Sequence, residues 1–242
     1  MNGVSLLAPL SETVLLEGLY TLDQAAWMAR VTPRLLRSWL DGEGTREPAV
    51  IRQLPKNDAS LLSFIDFVQA MAIRAIRTRD KNPVSLQKIR ATIEEARKLD
   101  IEYPFARRHL TYLFRDDVVI RLPSDREVII QVTGKYRQHQ LIKEAVELYM
   151  KDLVFDDVTG LAKRYTPLRD PITGREVIID PKVQYGAPVA MPSGYTASAL
   201  ISARYSEGSV EGAAEAMEVD VADIDIALRY NDILAGTAGT SN

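Results

Sequence analysis

The chain has no cysteine among its 242 residues. Disulfide bonds, thiolate nucleophiles and cysteine-ligated zinc sites are therefore excluded. Residues 1–19 contain no lysine or arginine, so a secretory signal with a basic start is not predicted. No uninterrupted apolar run approaches the roughly 20 residues that cross a bilayer. These absences predict a cytoplasmic protein that does not bind membranes.

Histidine is also scarce, because only His109 and His139 occur. Neither has a partner at metal-ligand spacing, and the sequence has no glycine-rich phosphate loop, nucleophile elbow or zinc motif. Adjacent acidic residues occur twice, at Asp116-Asp117 and Asp156-Asp157. Neighbouring side chains in a strand or loop point apart, so turn chemistry explains these pairs better than acid–base catalysis does. The sequence predicts no catalytic residue, no metal and no cofactor, in a protein that is not an enzyme.

Charge is nearly balanced overall, at −3, but it is unevenly distributed. Residues 1–60 hold six Lys and Arg against seven Asp and Glu. Residues 61–150 hold sixteen against twelve, whereas residues 151–242 hold eight against fourteen. A basic middle and an acidic C-terminal third predict that different parts of the chain meet different partners.

Residues 20–39 have the pattern of a helix-turn-helix. Thr21 suits the N-cap of a first helix, in which Ala25 is the small residue that lets a second helix approach. Val31 and Thr32 are predicted to form the turn, and Pro33 fits the first position of the second helix. One face of that helix is apolar and comprises Leu35, Leu36, Trp39 and Leu40.

The opposite face of this second helix suits the major groove of DNA. Arg34 and Arg37 are placed to reach guanine edges or phosphates, and Thr32 lies at the helix N-terminus, where phosphate binds. Residues 47–54 are predicted to form a strand of a wing, which would make the region a winged helix-turn-helix. The predicted DNA-binding residues are Thr32, Arg34, Arg37, Ser38, Arg46 and Arg52. The alternative is an ordinary helical hairpin whose arginines are only solvated.

The rest of the pattern predicts an α+β protein, mainly α with a small antiparallel β portion. A helix capped by Asp58 or Ser60 is expected to run to about Arg79, and Ser85 is expected to cap another. Three short antiparallel strands are predicted next, at residues 110–114, 118–122 and 128–132. A helix over residues 138–153 closes this block.

These signals divide the chain into five parts. The winged helix-turn-helix region is followed by a middle helix and β-meander region, a linker, a helix-turn-helix-like domain of three to four helices, and a disordered tail. The linker is predicted from its two prolines and two glycines. The boundaries are 1–57, 58–155, 156–175, 176–234 and 235–242.

A second basic cluster surrounds the turn between the two middle helices. Its members are Arg74, Arg77, Arg79, Lys81, Lys88 and Arg90. They could extend a DNA footprint by neutralising phosphates, or they could be solvated helix ends, because cations favour helix C-termini. The sequence leaves both interpretations open.

A second helix-turn-helix-like pattern starts at Tyr205, but its charge is opposite. Eight acidic residues fall between Glu207 and Asp232, and only Arg229 opposes them. Phosphate repels such a surface, so this copy is not predicted to read DNA. Its apolar residues are predicted to form a core and a subunit or partner interface, and they are Val210, Ala213, Ala214, Val219, Val221, Ile224, Ala227 and Leu228. The alternative is a solvated acidic surface without a partner.

Four segments of this C-terminal third, residues 177–181, 185–189, 205–214 and 227–230, together resemble a small bacterial domain family. The family pattern is Asp-Pro, then Gly-x-Pro-Val, a helix, Gly-Ser-x-Glu-x-Ala and a final Ala-Leu-x-Tyr helix. Such domains are frequent in antitoxins encoded beside PIN-type ribonuclease toxins. With the N-terminal helix-turn-helix in front, nearly the whole layout resembles the longer VapB-type antitoxins.

The chain departs from the family at two places. Where the family has Gly-Thr-Arg after the Pro-Val strand, this chain has residues 191–196, so no role of that arginine is carried over. The usual Glu-Glu-Ile-Ala becomes Glu211-Gly212-Ala213-Ala214, and Gly212 is expected to cost about 1 kcal/mol of helix stability against Ala.

The resemblance implies a DNA-binding antitoxin that represses its own operon and neutralises a cognate PIN-type ribonuclease toxin. It would bind a palindromic operator as a homodimer, and any catalytic magnesium would belong to the toxin. The alternative is a stand-alone transcriptional regulator that senses a small ligand through the middle domain and has no toxin partner. A third possibility is an enzyme or ligand-binding protein in which both helical pairs are structural.

Overall fold

The computed structural model describes residues 10–41, 61–78, 84–98, 100–108, 111–114, 117–121, 129–131 and 150–238. These residues form an α+β fold of helices and short antiparallel strands, as predicted. The helices are α1 (Leu10–Leu16), α2 (Leu22–Met28), α3 (Pro33–Asp41), α4 (Phe64–Arg77), α5 (Leu86–Arg97), α6 (Ala197–Glu207), α7 (Val210–Met217) and α8 (Val221–Ala238). The strands are β1 (Tyr20–Thr21), β2 (Leu61–Leu62), β3 (Thr111–Phe114), β4 (Asp117–Arg121), β5 (Ile129–Gln131), β6 (Leu153–Phe155), β7 (Ala162–Arg169), β8 (Glu176–Ile179) and β9 (Val189–Met191).

Within the described ranges, the strands form three antiparallel sheets. β1 pairs with β2 through Tyr20 and Leu62. The start of α2 and the start of α4 therefore lie side by side, because β1 directly precedes α2 and β2 directly precedes α4. β3, β4 and β5 form the meander that alternation of the sequence predicts. β6 to β9 form a four-stranded sheet in chain order.

Helix α4 is the central helix of the first core. Ser63 caps it, because its hydroxyl oxygen accepts from the Asp66 N–H at 3.1 Å while the Asp66 carboxylate accepts from the Ser63 N–H at 2.9 Å. This buried capping box replaces the predicted caps at 58 and 60, which lie outside the described residues. The prediction that Ser85 caps the next helix is confirmed, since its hydroxyl oxygen accepts from the Lys88 N–H at 3.3 Å.

One core joins the first helical pair to the middle of the chain. The Phe67 ring lies 5.9 Å from the ring of Tyr20, 6.1 Å from that of Phe64 and 5.9 Å from that of Tyr165. Buried residues of α2, α3, α4 and α5 belong to the same cluster, which extends to Ile179 in β8. The predicted boundary at residue 57 therefore does not separate two cores.

A second core lies between α6, α7 and α8 and the strands β8 and β9. Small residues such as Ala213 and Ala227 are fully buried there, so the helices approach one another closely. The other buried members are Val177, Ala190, Ala197, Leu200, Ala214, Ile224, Ile226, Tyr230 and Leu234. Of the predicted core residues, Val221 is 38% exposed, because it is the first residue of α8.

Three element assignments differ from the sequence prediction. Residues 156–175 were predicted to be a linker, but they contain β7, which pairs with both β6 and β8. Leu153 was predicted to end a helix, and it begins β6 instead, while residues 138–149 lie outside the described residues. The predicted disordered tail is helical as far as Ala238. β7 pairs with the strands that precede and follow it directly in the chain, so the composition of the two turns that flank it, and not long-range pairing, led to the linker prediction.

Candidate nucleic-acid interface

Helix α2 starts at a reciprocal capping box. The Thr21 hydroxyl oxygen accepts from the Gln24 N–H at 3.2 Å, and Gln24 Oε1 accepts from the Thr21 N–H at 2.9 Å. Ala25 and Ala26 are completely buried, so the backbone of α2 lies close to its neighbours. The predicted N-cap and the predicted small residue of the first helix are confirmed.

The turn between α2 and α3 is held by backbone and side-chain hydrogen bonds. Arg30 adopts a left-handed conformation with φ of 57°, and the Val31 N–H donates to the Ala26 carbonyl at 2.9 Å. The Thr32 hydroxyl oxygen accepts from the Leu35 N–H at 3.2 Å and so caps α3. The start of α3 is therefore fixed relative to α2.

Helix α3 buries one face and exposes the other. Leu36, Trp39 and Leu40 anchor it in the core with exposed fractions of 0%, 1% and 5%. Arg34 and Arg37 are exposed, and neither makes a salt bridge to another described residue. The two guanidinium groups therefore lie about one helical turn apart and face solvent. The buried residues on the opposite face set the orientation of the helix.

Two residues of α3 differ from their predicted surroundings. Ser38 is half-buried and its hydroxyl donates to the Leu35 carbonyl at 2.8 Å, so its proton is not available to a base. Leu35 was predicted to face the core but is 39% exposed. Leu36, Trp39 and Leu40 follow the i, i+3, i+4 spacing that defines the buried stripe, which leaves Leu35 on its flank.

Two of the predicted DNA-binding residues belong to the part of the chain that the structure does not describe. Arg46, Arg52 and the predicted wing strand at 47–54 lie outside the described residues, as do both histidines. Among the residues whose placement is described, no three His, Asp or Glu side chains are grouped to hold a metal ion. No described helix has the length and apolar content to cross a membrane.

The second basic cluster differs from Arg34 and Arg37 in burial. Arg74, Arg77, Lys88 and Arg90 are half-buried, and residues 79 and 81 lie outside the described residues. Burial, together with the nearby charge of Arg30, lowers the pKa of Arg74. These side chains already participate in packing, so the exposed arginines of α3 are the stronger candidates for phosphate contact.

Ion pairs neutralise part of the acidic C-terminal surface. Arg175 lies 3.4 Å from the Asp220 carboxylate and 3.0 Å from that of Asp223, which is buried. Arg229, predicted to oppose the acids around it, instead pairs with Asp170 at 2.8 Å. The remaining acids of this region are exposed, and they are Glu207, Glu211, Glu215, Glu218, Asp225 and Asp232. The surface stays acidic, in agreement with its sequence.

The two helix-turn-helix-like regions meet at an aromatic junction that the sequence does not reveal. The rings of Trp27 in α2 and Tyr230 in α8 meet edge to face, with centroids 6.2 Å apart. The Tyr20 hydroxyl donates to the Gly186 carbonyl at 3.1 Å. Burial raises the pKa values of Tyr20 and Tyr230. The sequence carried one indication of this junction, because Trp27 is a large aromatic residue that lies outside the apolar stripe by which α2 faces its core.

No family model matches this chain, and no curated protein matches it. Among solved structures it is similar to the crystal structure of Rv2018 from Mycobacterium tuberculosis, with a TM-score of 0.60 and 20% sequence identity. The match covers 88% of this chain and 98% of that chain. At this identity the similarity shows that the two chains share a fold.

Proposed function

We propose that this chain is a DNA-binding antitoxin and that the outer face of α3 reads its operator. The observation that carries the DNA-binding part is the exposure of Arg34 and Arg37 on a helix whose other face is buried. A rigid helix with outward guanidinium groups fits the major groove, where arginine pairs with guanine O6 and N7. Residues 47–54 complete a winged helix-turn-helix in this proposal.

The residues around the arginines support the same surface. Thr32 accepts from the Leu35 N–H through its hydroxyl and from the Leu36 N–H through its carbonyl. Pro33 has no N–H, so the Arg34 N–H is the donor of the first turn that can face a phosphate. Leu35, exposed beside Arg34, offers an apolar side chain of the kind that contacts a thymine methyl group. A homodimer would present two copies of α3 to a palindromic site, with half-sites roughly 34 Å apart.

The antitoxin part of the proposal rests on the resemblance of the C-terminal third. In this proposal that region binds and occludes a PIN-type ribonuclease encoded beside this chain. Its exposed acids Glu211, Glu215 and Glu218 favour a protein partner with a basic surface over nucleic acid. The catalytic magnesium belongs to the toxin.

DNA binding is tested with duplex DNA from the region upstream of the gene, by fluorescence anisotropy at several salt concentrations. We expect the double variant Arg34→Ala/Arg37→Ala to bind roughly 30-fold more weakly or worse, at about 1–3 kcal/mol for each arginine. If both arginines contact phosphate, the plot of the logarithm of the binding constant against the logarithm of the salt concentration becomes less steep, by about 0.9 for each lost contact.

The matched control removes the same charge elsewhere, as Lys182→Ala/Arg204→Ala in the C-terminal third. We expect this control to bind DNA as the wild type does. Equal losses in the two double variants would mean that net charge, and not the α3 surface, governs binding.

The antitoxin part is tested by co-expression with the product of the neighbouring gene. We expect rescue from growth arrest and co-purification of the two proteins, with both retained in Arg34→Ala/Arg37→Ala. Co-expression without rescue or co-purification would contradict the antitoxin and leave the stand-alone regulator.

A further inference from the structure

A cleft between α2 and the C-terminal helices has no part in the proposed function. Its volume is about 560 Å³, and its walls come from α2, from the turn at Gln184–Gly186, and from α6 and α8. Small-molecule sites commonly enclose about 300–1,000 Å³ and form where two units of a protein meet. The position and size of the cleft therefore fit a ligand site.

The lining of the cleft is uncharged and aromatic. None of its lining residues is Asp, Glu, Lys or Arg, so an ionised ligand would lose hydration without gaining an ion pair. Four aromatic residues contribute to the walls, namely Tyr20, Trp27, Tyr185 and Tyr230. Aromatic walls of this kind hold flat rings through offset or edge-to-face contacts.

Polar side chains are placed among these rings. The cleft is lined by the amides of Gln24, Gln184 and Asn231 and by the hydroxyls of Ser198 and Ser202. Gln24 uses its amide oxygen in the capping box with Thr21, which leaves its N–H groups as donors. Amides and hydroxyls can bind the carbonyl or hydroxyl oxygen of a neutral ligand and fix its orientation.

The turn that carries Tyr185 is held against the other wall. Gln184 and Tyr185 both adopt left-handed conformations, with φ of 46° and 52°, and the Tyr185 side chain is 86% exposed. A Cβ at Gly186 would overlap the Tyr20 hydroxyl, which itself donates to the Gly186 carbonyl. A strained turn thus presents a large aromatic side chain at the cleft, where no described side chain covers it.

We infer that this cleft binds a small, uncharged, planar aromatic molecule. Its rings lie against Trp27 and Tyr185, and its polar atoms pair with the lining amides and hydroxyls. Because α2 forms one wall and is joined to α3, the bound molecule ties the DNA-reading helix to the C-terminal helices. Binding does not require that α3 contact DNA, so it is measured on the protein alone.

The test uses the full chain and Nile red, an uncharged planar dye whose emission rises in apolar surroundings. We expect saturable binding of one dye per chain, and binding of the anionic dye 8-anilinonaphthalene-1-sulfonate that is at least ten-fold weaker. Ser202→Trp fills the cleft from an exposed position of α6 and is expected to weaken Nile red binding at least ten-fold. Ser206→Trp, one turn further along α6 and outside the cleft, is the matched control and should bind normally.

A second filling variant, Ser198→Trp, covers the case in which Ser202→Trp fails to fold, as judged by circular dichroism. Absence of saturable Nile red binding, or unchanged binding in both folded filling variants, would overturn the inference. Equally tight binding of the anionic dye would overturn its uncharged ligand class. A third outcome is that neither the wild type nor any variant binds dye, while the wild type sediments as a dimer and Ser202→Trp as a monomer. The cleft would then be a contact between subunits, and the inference fails.

Discussion

At the scale of single residues, Tyr20 joins the first core to the turn at Gln184–Gly186 through one hydrogen bond. Its hydroxyl donates to the Gly186 carbonyl at 3.1 Å, 166 positions along the chain, while its ring packs against Phe67. We expect Tyr20→Phe to lower the free energy of unfolding by about 1–3 kcal/mol, because the buried carbonyl loses its partner. Urea denaturation measures this.

The matched control is Tyr205→Phe, in which the altered side chain is 75% exposed. We expect its free energy of unfolding to stay within about 0.5 kcal/mol of the wild type. Equal losses at the two positions would show that the hydrogen bond to Gly186 contributes nothing specific.

Buried tyrosines also predict sensitivity to alkaline pH. Burial raises the pKa values of Tyr20, Tyr165 and Tyr230 above the usual value of 10.0 for tyrosine. The unfolded chain therefore releases these protons first, so the stability that these tyrosines contribute is fully present below pH 10 and is lost as the pH rises beyond it. In Tyr230→Phe the fall between pH 10 and pH 11.5 should be shallower, as measured by urea denaturation at each pH. A slope identical to that of the wild type would contradict the role of Tyr230.

At the scale of elements, Gly212 is a helical position at which helix propensity alone gives the wrong expectation for an alanine substitution. Its N–H donates to the Ser209 hydroxyl oxygen at 2.9 Å, and a Cβ there would lie 2.9 Å from that oxygen and 3.3 Å from the Glu207 Cβ. We therefore expect Gly212→Ala to give no gain in the free energy of unfolding, although alanine is favoured by about 1 kcal/mol in helices.

Gly236 in α8 provides the comparison for this prediction. A Cβ at this position meets nothing within 4 Å. Gly236→Ala should therefore stabilise the protein by up to about 1 kcal/mol, and less if the end of α8 frays. A gain at Gly212 as large as the gain at Gly236 would contradict the steric argument.

Local patterns located several elements because the signals and the structure they specify are both local. The caps at Thr21 and Ser85, and the meander of β3 to β5, depend on residues within one turn or one hairpin. Segment 156–175 was misread because its two turns resemble a linker in composition. Asp156 accepts from the Val158 and Thr159 N–H groups at 3.0 Å, which is the turn chemistry that the sequence predicted for this acidic pair.

At the scale of the whole molecule, β7 connects parts that the sequence separates. It lies between β6 and β8, and Tyr165 from this strand packs on Phe67 in the first core. We expect a fragment of residues 176–242 to be less stable than one of residues 151–242. In the shorter fragment β8 loses its pairing with β7, and the side chain of Val177, which is buried in the full chain, becomes more exposed. Circular dichroism with urea denaturation compares the two fragments.

The comparison measures what β7 contributes to the C-terminal helices. Equal stability of the two fragments would mean that β7 contributes nothing to their stability. A clear loss in the shorter fragment would show that the sheet is needed for the C-terminal helices to fold.

The sequence by itself determined the α2–α3 pair, its basic outer face and the acidic character of the C-terminal helices. Helical spacing, capping residues and charge act over a few residues, so they can be read directly. The tertiary structure alone decided that Arg229 pairs with Asp170, that β7 joins the cores, and that Trp27 and Tyr230 border a cleft. These features depend on contacts between residues far apart in the chain, and no local pattern encodes which distant residue a side chain will meet.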